Sequence, residues 1–339
     1  MVKQSGQGEE STVMSLSRAL ICGLGSIGRR HLRVLAKYWP GFNIAVLRSG
    51  YGPPCEELNL ANHVFSSIDE AMLWQPDFAV VSTPATDHLS KALVLARQGI
   101  PLLIEKPVGA GTEEPSNWKE LLDLSAKVPV AVAYVLRHDP CTSFVRDQLA
   151  KGLLGKLVEA DFYCGSWLPD WRLGLDYRDC VSARRDMGGG ALLELSHEID
   201  LAQWLFGPIQ LDYARLEQSG LLEIDVEDQV VLLARSADRF PLTIRLNFCT
   251  NPPRRHLTVR GSDGELRWNL IDGNVKVVRA QLVDPQVYTS SIAPDCLFRM
   301  QMKHFLSCAR KLEPPMCSLS DGIETLRLVA KARAMSELI

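Results

Sequence analysis

The feature that most constrains this chain is a cluster of three glycines directly behind a short apolar run. In ICGLGSIGRRHL, residues 21–32, Gly23, Gly25 and Gly28 form the pattern G-x-G-x-x-G. Its first glycine allows a tight turn, the second lets a pyrophosphate approach the backbone, and the third lets a helix pack closely on the preceding strand. A purely structural turn is the alternative, but a strand-like run precedes the cluster and a helical stretch from about Ser26 to Lys37 follows it. The cluster therefore predicts a dinucleotide site, with phosphates bound by free N–H groups at the helix N-terminus.

The units that follow alternate short apolar strands with helices. Ser67 and Glu70 have capping-box spacing at the start of one helix, and Gly99 stands at the end of another. This alternation predicts right-handed crossovers and a parallel sheet covered by helices on both faces. Residues 18–140 are therefore expected to form an α/β Rossmann domain with a doubly wound parallel sheet. The predicted strands are 18–23, 43–47, 78–84, 101–107 and 128–135, and the predicted helices lie near 67–73, 87–99 and 114–126.

Beyond about residue 155 the segments become longer and richer in β-branched residues. They predict an antiparallel sheet with one face packed on helices, in an α+β domain over residues 141–339 that binds substrate and forms oligomers. The last two helices, the second with Ser318 and Ser320 as candidate caps, are expected to pack back on the first domain. Residues 1–17 are expected to be a flexible tail. The predicted strands lie in 156–165, 229–237, 240–250, 255–270 (with a turn at Ser262-Asp263-Gly264) and 274–281, and the predicted helices are about 191–206, 295–310 and 321–338.

Composition excludes several classes of partner. The chain has 339 residues and a net charge of −3, so it carries no basic footprint for nucleic acid or an acidic membrane. Residues 1–17 contain no apolar region of the kind a signal peptide has, and no run of about 18 apolar residues occurs, so we expect neither a signal peptide nor a membrane-spanning helix. Its nine cysteines form an odd set with no C-x-x-C pair, which argues against a disulfide framework and a metal cluster. We expect a cytoplasmic protein that binds a small molecule and no metal.

The second strand indicates which dinucleotide is preferred. NAD sites usually place an acidic residue at the end of this strand, where it accepts hydrogen bonds from the adenosine ribose. No Asp or Glu occurs between Arg29 and Cys55, and the strand ends in Arg48-Ser49. Because a guanidinium binds phosphate in a bidentate way, we expect NADP to be favoured over NAD. The alternative is that Arg48 is only a solvated charge at a strand end.

Five separated motifs resemble the Gfo/Idh/MocA oxidoreductase family, and the similarity runs from about residue 18 to the C-terminus. They are GLGSIGRRH, VVSTPATDH, LLIEKPVG, RHDP and GGGALLELSHEIDLAQWLFG, and CSLSDGIETLRLVAKARAM is similar to the family's closing helix. The resemblance implies a Rossmann domain, an α+β domain with an open sheet, and pyridine-nucleotide chemistry on sugars, cyclitols or related alcohols. It also implies a homodimer or homotetramer formed through that sheet.

The same motifs supply three candidate catalytic residues. Lys106 lies at the carboxyl end of a predicted parallel strand, where ligands bind, and the resemblance gives it the role of holding the substrate oxygen. His197 corresponds to the family histidine that contacts substrate and relays a proton. Many relatives have Asp about four residues before this histidine, whereas this chain has Glu194 three residues before it, which leaves the role of the acid open. The alternatives are a structural salt-bridge lysine and a core histidine.

Further contacts follow from the motifs and from the segment between residues 166 and 186. Its aromatic rings can stack on a sugar and its arginines can bind hydroxyls or anions. Four aspartates balance those arginines, so charge does not define the substrate, and the segment can instead organise a subunit interface. The expected cofactor-binding residues are Gly23, Gly25, Ser26, Ile27, Gly28, Arg48, Ser49, Thr83, Pro84, His88, Glu105 and Lys106. The expected substrate-binding residues are Arg137, Trp167, Trp171, Arg172, Tyr177 and Asp200, the last with orientation of His197 or local packing as its other roles.

Three functions are compatible with this pattern. The first is an NAD(P)-dependent dehydrogenase of sugars, sugar derivatives or cyclitols; residues 166–186 resemble family members found in surface-carbohydrate pathways, which implies surface-carbohydrate biosynthesis as its setting. The second is NAD-assisted glycoside cleavage on the same scaffold, and the third is a nucleotide-sensing subunit without turnover. The sensing subunit has no need of Lys106 and His197 together. Fold alone does not decide the substrate.

Overall fold

The computed structural model describes residues 15–50, 55–172, 174–279, 284–290 and 292–336. Most of the expected N-terminal tail, residues 1–14, lies outside them. The first domain contains six parallel strands in the order β3-β2-β1-β4-β5-β6, which confirms the doubly wound sheet. The strands are β1 (Arg18–Cys22), β2 (Asn43–Leu47), β3 (His63–Phe65), β4 (Phe78–Val81), β5 (Leu102–Ile104) and β6 (Val130–Val132). The helices are α1 (Ser26–Tyr38), α2 (Ile68–Leu73), α3 (Ala85–Arg97) and α4 (Pro115–Ser125).

Local signals account for most of this domain. The central strand β1 is apolar and buried because helices cover both faces of the sheet. Ser67 accepts a hydrogen bond from the backbone N–H of Glu70, whose side chain accepts one in return, so the expected capping box is present. Gly99 has a positive φ of 74° just after α3. Strand β3 was not predicted, because its three residues lie at the sheet edge and are largely exposed.

The second domain contains an eight-stranded sheet in the order β14-β13-β12-β11-β7-β10-β9-β8. Every neighbouring pair is antiparallel except β7 and β10, so the mostly antiparallel sheet is confirmed. The helices α5, α6, α7 and α9 contact strands of this sheet. The strands are β7 (Leu157–Gly165), β8 (Gln210–Glu217), β9 (Gln229–Arg235), β10 (Pro241–Asn247), β11 (Arg254–Gly261), β12 (Gly264–Asn269), β13 (Asn274–Arg279) and β14 (Gln286–Thr289). The helices are α5 (Pro140–Ala150), α6 (Ala191–Glu194), α7 (His197–Phe206), α8 (Pro294–Ala309) and α9 (Leu319–Ser336).

The structure corrects the prediction of one helix over residues 191–206. Helix α6 ends at Glu194 and α7 begins at His197, with a turn between them. In a continuous α-helix the N–H of Glu198 would bond to the carbonyl of Glu194. Here it bonds to the carbonyl of Leu195 instead. Helix α5 and strands β8 and β14 were also not predicted.

The last two helices contact the first domain. Phe305 of α8 packs edge-on against Phe78 of β4, with ring centroids 5.8 Å apart. Just before α9, the carbonyl of Cys317 accepts a hydrogen bond of 3.0 Å from the N–H of Val132 in β6. Helix α9 also reaches the second sheet, where the Lys331 ammonium donates to the carbonyl of Leu211 at 3.1 Å. The C-terminal segment therefore connects both sheets.

Candidate active site

A cleft of about 1000 Å³ lies between the carboxyl ends of the parallel strands and the second domain. Ligands of doubly wound sheets bind at this edge. The first domain contributes the glycine cluster and the loops that follow β2, β4 and β5, and the second domain contributes residues from the segment 172–197. Of the expected cofactor residues, eleven line the cleft: Gly23, Gly25, Ser26, Ile27, Arg48, Ser49, Thr83, Pro84, His88, Glu105 and Lys106.

The glycine cluster has the geometry that a bound pyrophosphate needs. Gly23 has a φ of +90°, and a Cβ there would lie 2.7 Å from the carbonyl oxygen of Ser82. A Cβ at Gly28 would lie 2.2 Å from the carbonyl oxygen of Gly23, so a glycine is needed for α1 to pack this closely on the turn. Gly28 itself does not line the cleft. A Cβ at Gly25 would meet no atom of the described residues within 4 Å. This open backbone at the N-terminus of α1 fits a dinucleotide phosphate.

One end of the cleft combines cationic and hydroxyl side chains. Arg48 and Ser49 follow β2, and Ser66 and Ser67 follow β3. Arg29, in the first turn of α1, also lines this end, and its guanidinium forms no hydrogen bond or ion pair with the part of the chain that the structure describes. Arg29, Ser66 and Ser67 were not among the expected cofactor residues, although Arg29 follows the third glycine of the motif directly.

At the other end, Lys106 contacts α6 of the second domain. Its Nζ donates a hydrogen bond to the backbone carbonyl of Glu194 at 3.0 Å and lies 3.7 Å from Oε2 of the same residue. The interruption between α6 and α7 leaves this carbonyl available, because the N–H of Glu198 bonds elsewhere. The helix break thus supplies an acceptor for Lys106 that a continuous helix would have used internally.

His197 is the first residue of α7 and faces the same cleft. Its Nδ1 atom is buried and has no hydrogen-bond partner within the described residues, and its ring packs edge-on against Tyr134 with centroids 5.5 Å apart. The pKa of His197 is well below its usual value, mainly because burial disfavours the charged ring and also because the charges of Lys106 and Arg255 repel a proton. The imidazole is therefore neutral at neutral pH.

Glu105 also lines the cleft, but its carboxylate is held from within the first domain. Its Oε1 lies 2.7 Å from Nε2 of the buried His31 in α1, and its Oε2 accepts a hydrogen bond of 3.1 Å from the N–H of Lys106. The carboxylate thus connects α1 to the residue that carries the ammonium group.

The substrate-binding role expected for Arg137 and Asp200 does not fit their positions. Both side chains are buried outside the cleft lining, and they form a bidentate ion pair with N–O distances of 2.7 and 3.0 Å. Arg137 also donates to the carbonyl of Met316 at 2.7 Å. The Asp200 carboxylate is thus directed at Arg137 and not at His197. Because the pair connects the residues after β6, helix α7 and the segment before α9, we assign it a structural role instead.

Three aromatic residues expected to stack on a sugar are also placed outside the cleft lining. Trp171 donates its indole N–H to the Ser166 hydroxyl at 2.8 Å and packs edge-on against Phe248, and Tyr177 accepts a hydrogen bond of 3.1 Å from the N–H of Glu223. Trp167 packs against the core. These rings anchor the segment between β7 and α6. From that segment, the cleft is lined by Arg172, as expected, and by Leu175, Asp179, Cys180, Val181 and Met187.

Phe298 of α8 is a further lining residue, and no local signal identified it. The Arg30 guanidinium lies 4.9 Å from the centre of its ring. Among the described residues, no three His, Cys, Asp or Glu side chains are arranged to hold a metal ion. Nor does any helix in the described ranges combine the length and apolarity needed to cross a bilayer.

Comparisons with known proteins agree with this architecture. A family model described as "Oxidoreductase family, NAD-binding Rossmann fold" matches residues 17–135, and one described as "GFO/IDH/MocA C-terminal domain" matches residues 143–267. The rhizopine catabolism protein MocA of Rhizobium meliloti is 24% identical over 340 residues, covering 96% of each chain. Levoglucosan dehydrogenase, solved with NADH and levoglucosan, has a TM-score of 0.82 at 15% identity, covering 95% of this chain and 98% of that one. The WlbA dehydrogenase of Bordetella pertussis, solved with NADH and UDP-GlcNAcA, has a TM-score of 0.74 at 19% identity, covering 95% and 96%.

Proposed function

Because this chain belongs to the GFO/IDH/MocA family of NAD-binding oxidoreductases, we propose that it is a dehydrogenase or reductase of a sugar, sugar derivative or cyclitol that prefers NADP. The observation that carries the proposal is the meeting of Lys106, Glu194 and His197 in the same cleft as the glycine cluster. A proton-transfer group and an electrostatic partner thus face a site built for a dinucleotide. Non-catalytic binding of a nucleotide needs neither group.

A nicotinamide held in this cleft would supply hydride transfer, as acceptor during alcohol oxidation and as donor during ketone reduction. The chain's own residues handle the oxygen and its proton. The ammonium of Lys106 uses one N–H on the carbonyl of Glu194 and directs its other donors at the substrate oxygen, stabilising negative charge that develops there. The neutral imidazole of His197 accepts the hydroxyl proton during oxidation and returns it during reduction.

The preference for NADP is supported by the cationic end of the cleft. Arg29 and Arg48 stand beside three serine hydroxyls, and within the described residues no carboxylate of the loops after β2 and β3 lines the cleft. Guanidinium groups and hydroxyls suit a 2′-phosphate, whereas a ribose 2′-hydroxyl is usually met by Asp or Glu.

The substrate class rests on the relatives. Levoglucosan dehydrogenase was solved with levoglucosan and WlbA with UDP-GlcNAcA, and inositol 2-dehydrogenase 2 of Saccharopolyspora erythraea is 24% identical over 217 residues, 61% of this chain. We propose surface-carbohydrate biosynthesis as the setting, and turnover of a nucleotide sugar such as the one bound to WlbA would support this setting. Arg172 is the expected substrate contact that remains in the cleft lining.

We also propose that two or four copies associate through the outer face of the eight-stranded sheet. There Tyr163 stacks on His256 with centroids 5.2 Å apart, and the nearby strand β9 exposes Val231 and Leu233. All nine cysteines are free thiols, which supports a reducing, cytoplasmic location.

The test is the absorbance of reduced cofactor during incubation with a panel of sugars, cyclitols and nucleotide sugars, each with NADP and with NAD. We expect net, substrate-dependent accumulation of NADPH. Product formation without net accumulation would instead indicate cofactor-assisted glycoside cleavage, and cofactor binding without any turnover would indicate a sensing subunit.

A further inference from the structure

The loops after β4 and β5 both enter the cleft, and one buried side chain lies between them. Thr83 and Pro84 follow β4, while Lys106 and Pro107 follow the adjacent strand β5. His88, in the first turn of α3, is 1% exposed. Its Nε2 lies 2.7 Å from the carbonyl oxygen of Thr83, and its Nδ1 lies 2.9 Å from that of Pro107. One imidazole therefore reaches one carbonyl in each loop.

We propose that His88 is a positioning residue that holds the Thr83 loop and the Lys106 loop at a fixed separation, an inference that rests on the proposed dehydrogenase function. The motif around His88 predicts direct cofactor binding, but each of its ring nitrogens lies within hydrogen-bond distance of a backbone carbonyl. Its effect on the cofactor and on Lys106 is therefore indirect, through the two loops.

Each loop has its own task in the cleft. The hydroxyl of Thr83 is buried and has no hydrogen-bond partner among the described residues, so it is available to a ligand. The other loop carries the ammonium that contacts Glu194 across the domain boundary. Displacing the Thr83 loop should thus weaken cofactor binding, whereas displacing the Lys106 loop should alter the environment of the amine.

The chemistry of the ring determines how many of the two bonds form at once. A neutral imidazole has one N–H and donates to one carbonyl, whereas the imidazolium donates to both. The pKa of His88 lies below its usual value, because burial outweighs the opposing effects of the Pro107 and Thr83 carbonyls and of the Glu105 and Asp87 carboxylates. The ring is therefore mainly neutral and donates its N–H to one carbonyl at a time, while its contacts with both carbonyls fix where the ring lies. Substitutions that restore one nitrogen at a time can separate the two contacts.

Substitution of His88 by Asn or by Gln separates its contact with Pro107 from its contact with Thr83. The amide nitrogen of Asn stands near the position of Nδ1, and that of Gln stands near the position of Nε2. In His88→Asn the bond to Pro107 can persist and the bond to Thr83 is lost, whereas His88→Gln has the opposite pattern. His88→Phe removes both bonds. His63→Gln is the matched control, because His63 is exposed on the edge strand β3, outside the cleft lining.

Two readouts that need no sugar substrate test the proposal. The first is the Kd for NADP by calorimetry, and the second is the rate at which acetic anhydride modifies Lys106, followed by mass spectrometry. Loss of one hydrogen bond corresponds to about a fivefold change. We expect His88→Asn to raise the Kd about fivefold with unchanged Lys106 modification. We expect His88→Gln to accelerate modification about fivefold with the Kd within about twofold of the parent value.

The proposal is overturned if His88→Phe behaves like the parent in both readouts, or if His88→Asn and His88→Gln change both readouts equally, as a loss of general stability would. Circular dichroism and thermal unfolding establish that each variant is folded. If His88→Phe does not fold, the comparison between His88→Asn and His88→Gln decides. Absence of sugar turnover by the parent protein would defeat the proposed dehydrogenase while leaving this test intact.

Discussion

The Nζ atom of Lys106 lies 3.0 Å from the backbone carbonyl oxygen of Glu194, a residue 88 positions later in the other domain. The contact crosses the cleft and depends on the break between α6 and α7. It holds the ammonium group of Lys106 in the cleft, where its remaining N–H groups can donate hydrogen bonds to a substrate oxygen. Because the acceptor is a backbone atom, replacing the Glu194 side chain leaves this hydrogen bond in place.

Lys106→Ala should lower turnover by at least about a hundredfold, because it removes the main partner for developing negative charge on the substrate oxygen. Cofactor affinity should change little. The measurement is kcat for the best substrate, with calorimetry for NADP. Glu194→Gln is the matched variant, and it should reduce kcat less than about tenfold, since the carbonyl that holds Lys106 remains. Near-parent turnover in Lys106→Ala would contradict the assignment.

Arg29→Ala and Arg48→Ala should each weaken NADP binding by at least about tenfold and leave NAD binding unchanged, because a guanidinium–phosphate bond is charge-assisted. Calorimetric titration of both cofactors measures the difference. Arg33→Ala is the control, since Arg33 lies on the same helix but pairs with Glu57 at 2.6 Å. Equal affinity of the parent protein for NADP and NAD would remove the basis for a 2′-phosphate site.

Arg137→Met should destabilise the fold by about 3–5 kcal/mol, because it leaves the buried Asp200 carboxylate without its partner. The double variant Arg137→Met/Asp200→Leu should recover part of that loss. Urea unfolding followed by fluorescence gives both free energies. If Arg137→Met instead kept full stability and lost substrate affinity, the structural role would be wrong and the pair would have a substrate-binding role.

His138 makes stability depend on pH in the acidic range. Burial lowers its pKa to about 3, and the neighbouring charges of His304 and Arg137 act in the same direction. The unfolded chain binds this proton near pH 6.5 and the folded chain does not, so stability is lost as the pH falls below 6.5 toward 3. His138→Phe should remove up to about 1.4 kcal/mol of this loss for each pH unit. Urea midpoints at about pH 7, 6 and 5 test it, and parallel curves for parent and variant would show that His138 does not contribute.

Features encoded by neighbouring residues could be predicted from the sequence. The glycine cluster, the run NIAVL of β2 and the Ser67–Glu70 cap each depend on a few adjacent positions, and the structure shows all of them. The apolar pattern through residues 191–206 contained no sign of a break, because the turn at Leu195 and Ser196 is accompanied by contacts with distant residues. One of these is the hydrogen bond between Ser196 and the Tyr134 hydroxyl.

The site residues divide in the same way. Lys106 and His197 lie in recognisable motifs, and both line the cleft. Phe298 belongs to α8, far along the chain from the glycine cluster, and only the packing of α8 on α1 brings it to the cleft. The pairing of Arg137 with Asp200 likewise depends on three-dimensional contacts that neither local sequence reveals.

The hydrogen bond between Val132 and Cys317 also has a consequence for biosynthesis. A ribosome releases the N-terminal Rossmann strands early, but β6 gains this partner, and Phe78 gains Phe305, only after the C-terminal helices have been translated. Cotranslational folding of the first domain therefore stops short of its final core. Until α8 and the segment before α9 have been translated, Phe78 and the edge of β6 lack these partners.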